Sequence, residues 1–470
     1  MVHMQVVGRT ERSASTGRLR LVALMVALGV AATACTSAAG SAQPATVTVG
    51  STVTAAPAGS TAVTVPAGTG AASSAPASSA PASSGSTSSS GAASSAPVSS
   101  PPSSSAPSSS AIALPVAKIS ASPAFGAKTV GPADPLKISV AQGKITALTL
   151  TSPSGKVLKG AISADGSSWS LGEVLGYGKT YKAAGTATGT DGKVVPIAGS
   201  FTTVTPTSKV RTTISPGDGK TVGVATSVIV SFGVEPADRA AIAKRIFITT
   251  TPKVTGAWVW IQHDGGEWAL DFRTQSYWPE NTKVHVEADV YGMKFTNGAY
   301  GTGDVTSDFT IGRNQVVKAD VNSHDLLVFQ DGKQVAAYPA SYGKGDTPDK
   351  VTRSGVHVVN DMNETKLMSN PKYGYTNVLE HWAVRISDNG EFIHANPNTV
   401  GDQGNTNVSH GCVNLSLANA EAYFKSTLLG DPVEVTGTSI NLSASDGDLF
   451  DWTYSWSQWK NLAVKTGDTA

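Results

Sequence analysis

The sequence predicts a mainly β chain, with two immunoglobulin-like β-sandwiches ahead of a mixed β unit that carries one short helix and a tryptophan-rich C-terminal extension. Three observations point there. Short runs such as Leu136-Lys137-Ile138-Ser139-Val140 alternate apolar and polar residues with period two. Turn signals such as Asp165-Gly166, Asp191-Gly192 and Pro216-Gly217 separate the runs. Helical apolar spacing is confined to the last sixty or so residues, on the order of one helix and a tail.

Composition sets the outer bounds. A chain of 470 residues suggests about three domains at ~150 residues each. Charged residues make up 15%, below the ~25% of ordinary soluble domains. The net charge is +1, and no basic run or arginine–aromatic interleaving occurs, so nucleic acid is set aside as a partner.

Arg9, Arg12, Arg18 and Arg20 precede the apolar stretch 21–35. It is shorter than the ~20 apolar residues of a spanning helix and suits a signal-peptide core. It ends in Ala32-Thr33-Ala34-Cys35, which resembles a bacterial lipobox with Ala32 where leucine is usual. The expectation is a lipid on Cys35 and an extracytoplasmic protein anchored to the membrane, facing the cell wall. Ordinary cleavage after Ala34 is the other reading. Residues 36–112 are Ser, Ala, Pro, Gly and Thr with almost no large apolar side chain. Such a segment cannot bury enough surface to offset its ordering entropy and reads as a disordered tether.

Residues 113–206 and 207–313 read as the two sandwiches, with Ile145–Leu150 and the run Ser227-Val228-Ile229-Val230-Ser231-Phe232 among their strands. Trp258, Trp260 and Trp268 sit in central strands of the second, where core packing is expected. Both act as spacers, with no catalytic constellation. The third unit, 314–437, opens with a hairpin turning at Asp331-Gly332. Its helix starts at an N-cap Ser416, with Leu417, Ala420, Phe424 and Leu428 on one face, and stops at Gly430-Asp431-Pro432. In the extension, 438–470, Trp452, Trp456 and Trp459 have helical spacing and read as a docking face.

The chemistry concentrates on Cys412, one of two cysteines. With Cys35 lipidated it has no disulfide partner in an oxidising compartment. A catalytic thiol needs a base, oxyanion donors and a group that orients the base. His394 ends a strand-like run, and fourteen Asn-, Gly- and Pro-rich residues lead from it to Ser409-His410-Gly411-Cys412-Val413-Asn414. That loop can fold back and bring the two ends together. Gly411 lets the backbone turn beside the thiol, and the helix after Ser416 could put its positive end behind it. Zinc is disfavoured, because His410 and Cys412 are two residues apart and no second cysteine is at hand. A buried inert cysteine is the bland alternative. Papain-like order is excluded because histidine comes first, and a sortase because no arginine follows Cys412.

The pattern His-x14-Ser-His-Gly-Cys-x-Asn resembles the signature of the YkuD-type L,D-transpeptidases, and the domain order resembles their larger actinobacterial lipoprotein members. The resemblance covers roughly residues 113–462. It implies a YkuD-type mixed β catalytic domain and a cysteine-dependent acyltransferase that acts on peptidoglycan stem peptides without metal or organic cofactor. Cys412 would be the acylated nucleophile, His394 its base, and the backbone carbonyl of Ala395 the third member. Backbone amides of His410, Gly411 and Cys412 would bind the oxyanion. Tyr375, with Tyr373 as a competing alignment, Met368, Ser409 and Trp382 would contact substrate, and Asn414 would orient the loop or contact the donor peptide. Carbapenems would acylate the thiol. The sequence departs from relatives at Asn398, where tryptophan is common, and in the longer stretch after Thr347-Pro348. An L,D-carboxypeptidase using water and a non-catalytic wall-binding lipoprotein are the alternatives.

Overall fold

A computed structural model describes residues 116–446 and 449–467. The apolar N-terminal stretch, Cys35, the 36–112 segment and the start of the first sandwich lie outside the described residues.

In the first sandwich a four-stranded sheet, ordered Lys118–Ser122, Lys137–Ala141, Ser168–Leu171 and Gly160–Ile162, faces a three-stranded sheet of Gly143–Thr151, Thr180–Gly189 and Val194–Thr202. The period-two runs do what their pattern dictates: Ile138 and Val140 point inward while Lys137 and Ala141 are exposed. Trp169, Leu150 and Phe201 close the core between the sheets.

The second sandwich packs Thr221–Val222, Val305–Ile311, Lys283–Ala288 and Ile246–Thr251 against a sheet built on Thr213–Ser215, Val228–Ser231, Trp268–Thr274 and Gly256–Gln262. Trp258 is core, as expected, but Trp260 and Trp268 are only half-buried. The Arg239 guanidinium covers the Trp268 ring at 3.5 Å from its centroid. Arg239 opens a short helix, Arg239–Ala243, capped by Asp238, that the strand pattern did not predict.

The third unit is two sheets and a helix. One sheet runs Lys333–Pro339, Asp325–Gln330, Gln315–Asp320, Pro432–Thr436 and Gly355–Val358; the other runs Asp361–Asn370, Tyr375–Arg385, Phe392–Ala395 and Val413–Leu415. Asp331 and Gly332 both have positive φ (49° and 73°), the geometry of a two-residue hairpin turn. The helix Leu417–Ser426 is capped by Ser416, whose side chain accepts from the Asn419 amide. Its buried face differs from the expected one. Ala420 and Tyr423 are buried, Phe424 packs beside them, Leu417 is half-exposed, and Leu428 lies past the end. The helix stops early because the Ser426 and Thr427 hydroxyls both take the Tyr423 carbonyl.

The C-terminal extension does not form one continuous helix. Trp452 lies in a 3₁₀ turn, Asp451–Thr453, and Ser455 starts a separate helix, Trp456–Leu462, with a capping box to Gln458. The chain then adds a fifth strand, Ala463–Val464, to the second sandwich beside Trp258 and Val259. Trp459 is fully buried and its indole donates to Ala257 O at 2.9 Å. Arg273 reaches out of the sandwich between the tail tryptophans and donates to the carbonyls of Asp451 and Tyr454. The sandwich and catalytic unit are also joined directly. Gly223 and Ala225 amides bond Leu429 and Gly430 carbonyls, and Arg313 pairs with buried Asp431 at 2.7 Å. The expected spacer is thus clamped to the catalytic unit by three seams.

Candidate active site

His394 and Cys412 come together because their strands are neighbours. Phe392–Ala395 and Val413–Leu415 pair in parallel, with His394 opposite Asn414, so the loop between them folds back on itself. Cys412 sits just before its strand, partly exposed, and its thiol donates to Gly390 O at 3.7 Å.

His394 is 5% exposed, and its Nδ1 faces two acceptors. Ala395 O lies at 2.9 Å and Glu380 Oε2 at 3.1 Å. Both can only accept, so Nδ1 carries a proton and Nε2 is the nitrogen left for the thiol. Burial works against a charged imidazole here. Hydrogen bonding and charge from Cys412 and Glu380 outweigh it and lift the group to about 10.

The turn carrying the thiol is held from below. Gly411 has φ +132°, a conformation that any side chain would strain. Its carbonyl accepts from the fully buried Thr352 hydroxyl at 2.7 Å. The Ser409 hydroxyl donates to Cys412 O at 2.6 Å and accepts from the Gly411 amide at 3.1 Å. Ser409 is buried and holds the turn through both bonds. The Gly411 amide is committed to Ser409, whereas the amides of His410 and Cys412 have no protein acceptor among the described residues. The helix dipole also drops out, because the intervening strand Val413–Leu415 alone carries the chain ~10 Å from the thiol before Leu417.

The hairpin Asp361–Asn370/Tyr375–Arg385 stands beside the thiol. Tyr373 stacks on His410 with centroids 4.3 Å apart, but its hydroxyl is taken by Asp349. Tyr375 is the freer of the two. Burial, then the charges of Cys412 and Glu380, push its hydroxyl above the usual phenol range. Burial, then the nearby Lys350, hold His410 below its ordinary value. Met368 sits opposite Val378 towards the hairpin tip, half-buried.

Asn414 and Trp382 are both tied into the fold beside the site. Asn414 is 2% exposed, and its backbone bridges Ser341 in both directions, which fixes the turn from inside the core. Trp382 packs its ring 5.3 Å from Phe424 of the helix. It also lines a cleft of about 580 Å³ with Leu379, Glu380, Ala395, Asn398 and Leu417. Asn398, where a tryptophan was the family expectation, makes that wall polar.

Sequence reasoning missed Glu380, Thr352 and Glu391. Glu391 is buried behind Gly390 and ties Arg353, Ser387 and His357 together. Only Thr352 left a usable signal, a hydroxyl next to the unusually long Thr347-Pro348 stretch. Among the described residues no group of three or more His, Cys, Asp or Glu could hold a metal ion.

Residues 314–435 match the L,D-transpeptidase catalytic domain, and residues 127–294, reaching across parts of both sandwiches, match a bacterial Ig domain. The chain is 45% identical over 350 residues to L,D-transpeptidase 5 of Mycobacterium tuberculosis, spanning 74% of this chain and 78% of that protein. It is 36% identical over 354 residues to L,D-transpeptidase 2 of the same organism, spanning 73% and 84%. A solved structure of LD transpeptidase LdtMt1 in complex with imipenem covers 49% of this chain and all of its own, at 31% identity and a TM-score of 0.41.

Proposed function

Because the chain belongs to the L,D-transpeptidase family, we propose that it forms 3→3 cross-links between peptidoglycan stem peptides through a thioester on Cys412. The sulfur attacks the carbonyl that joins diaminopimelate to D-alanine in a tetrapeptide donor. A C–S bond forms, the C–N bond breaks, and D-alanine leaves with a proton from His394. A side-chain amine on a neighbouring stem then attacks the thioester. The new amide forms, the C–S bond breaks, and the thiol is restored.

The observation that carries this reading is His394, its Nδ1 proton held by Ala395 O and Glu380 and its other face turned to Cys412. With Nδ1–H held, Nε2 can take the thiol proton as sulfur attacks and return it to the leaving amine. The Cys412 and His410 amides would meet the oxyanion, and Tyr375 would lie over the bound peptide. The same attack on a strained β-lactam would leave a carbapenem on Cys412. We place the enzyme outside the membrane, held by a lipid on Cys35, on the strength of the lipobox-like sequence.

The deciding experiment incubates the full chain with disaccharide-tetrapeptide and follows products by mass spectrometry. Dimer and free D-alanine, both lost in Cys412→Ala, are expected. Tripeptide without dimer would replace the transpeptidase by a carboxypeptidase, and absence of all three products would overturn the proposal. Radiolabelled fatty acid incorporation, lost in Cys35→Ala, tests the anchor.

A further inference from the structure

The strand that carries Glu380 is irregular where it passes the catalytic histidine. His381 pairs with Ala395 and Val384 with Ile393, so Trp382 and Ala383 together oppose the single residue His394. This is a β-bulge, and Trp382 holds the left-handed conformation it needs, φ +53°. A non-glycine residue there carries local strain, and the packing of its ring on Phe424 and under Lys425 offsets it. Bulges re-aim side chains. Here the result is that Glu380, two residues before the bulge, puts Oε2 3.1 Å from His394 Nδ1.

Glu380 has no cation of its own. Among the described residues the only ion pair recorded for it is with His394, and its side chain is 18% exposed. Other charged groups nearby are committed elsewhere: Lys366, across the hairpin from Glu380, pairs with Asp361, and Glu421 on the packed helix pairs with Lys425. Buried Glu391 is bound to Arg353, Ser387 and His357. Tyr375, His381 and Cys412 complete the titratable neighbours.

We propose that Glu380 is a positioning residue that turns the Cys412–His394 pair into a Cys–His–Glu triad, supplementing the neutral Ala395 carbonyl with a full negative charge. The inference rests on the transpeptidase reading of this site and deepens it. The carbonyl alone selects the tautomer, since it accepts from Nδ1–H. The carboxylate does something a carbonyl cannot: it stabilises the imidazolium, so the thiol proton moves to Nε2 and remains there over a wider pH range. Replacing Glu380 with glutamine keeps size and one acceptor oxygen, removes the charge and exchanges the other oxygen for an NH2 donor.

The test measures the rate at which iodoacetamide alkylates Cys412 between pH 5 and 9 in the full chain, read by mass spectrometry on the Cys412 peptide so that Cys35 does not interfere. E380Q is expected to slow alkylation at pH 6–7 about tenfold and to move the rise in rate to higher pH, as loss of one nearby opposite charge does. E380D, which keeps the charge, is expected to restore much of the rate. Thermal unfolding of each variant separates this from misfolding. A pH profile for folded E380Q that overlays the wild type would overturn the proposal. So would equal slowing by E380Q and E380D, which would mark a purely steric role. Alkylation needs no stem peptide: a wild type that cross-links while E380Q overlays it sinks the triad alone, and one that fails to cross-link while E380Q shows the shift sinks the transpeptidase reading alone.

Discussion

The seam between tail and second sandwich and the hairpin beside the thiol both carry large apolar side chains, and they dispose of them in opposite ways. In the seam Trp459 and Val259 are essentially fully buried, with Phe450 and Ile261 beside them. On the hairpin Leu367 is 61% and Leu379 54% exposed. The first arrangement removes apolar area from water and stabilises the fold. The second leaves it uncovered beside the site, which is where a peptide substrate would cover it. A hairpin with so few buried contacts also belongs to the low end of local stability.

The same contrast appears in charge. His394 is buried among groups that favour its proton, which lifts it to about 10. Asp451 is fully buried in the seam, and burial, then the charge of Asp271, raise it far above the ordinary carboxylate range. Both values are raised, so each protonated form contributes stability that is complete below its unfolded value and lost as pH rises through the folded one. For His394 that window runs from 6.5 to about 10. The active site uses its proton, and the seam merely retains one.

The sharpest break of this contrast is Cys412→Ala, expected to lower product formation by ~10⁴-fold or more while thermal unfolding stays unchanged; a variant that still releases D-alanine would remove the thiol from the chemistry. Next is Trp459→Ala, expected to destabilise the chain by about 3–5 kcal/mol in denaturant unfolding. A loss below ~1 kcal/mol would show the tail to be an ornament rather than a clamp. Asp451→Asn is expected to flatten the fall of melting temperature that the raised Asp451 implies for the wild type between about pH 4 and about pH 8. An unchanged slope would mean that Asp451 is ionised in the seam. The smallest effect belongs to Leu379→Ser, within about 0.5 kcal/mol of wild-type stability. Its acylation by tetrapeptide is expected to slow through KM, and an unaltered KM would detach the exposed hairpin from substrate capture.

How much was legible in the sequence follows from the range of each interaction. His394, the loop and Cys412 lie within one short window, and strand period two with a Gly- and Asn-rich return is enough to pair them. Ser409 and Gly411 were visible as residues but not in role. Which hydroxyl takes the Gly411 amide depends on a turn whose support, Thr352, lies 59 residues away. Glu380 was invisible, because it reaches His394 through a bulge at Trp382, and a tryptophan with positive φ leaves no mark in an apolar–polar pattern. The tail was half legible: its tryptophans announced a docking face, but the helix boundary fell at Ser455, where a capping box breaks the i, i+4, i+7 run.

Sequence alone therefore determined the β class, the chain order of the units, and the thiol and histidine of the site, because periodicity, turn chemistry and short-range spacing are local. Tertiary structure decided which charge the histidine meets, which amides face an oxyanion, and where the tail docks. Those depend on contacts between strands far apart in the chain, and their energies come from burial and proximity that no local pattern encodes.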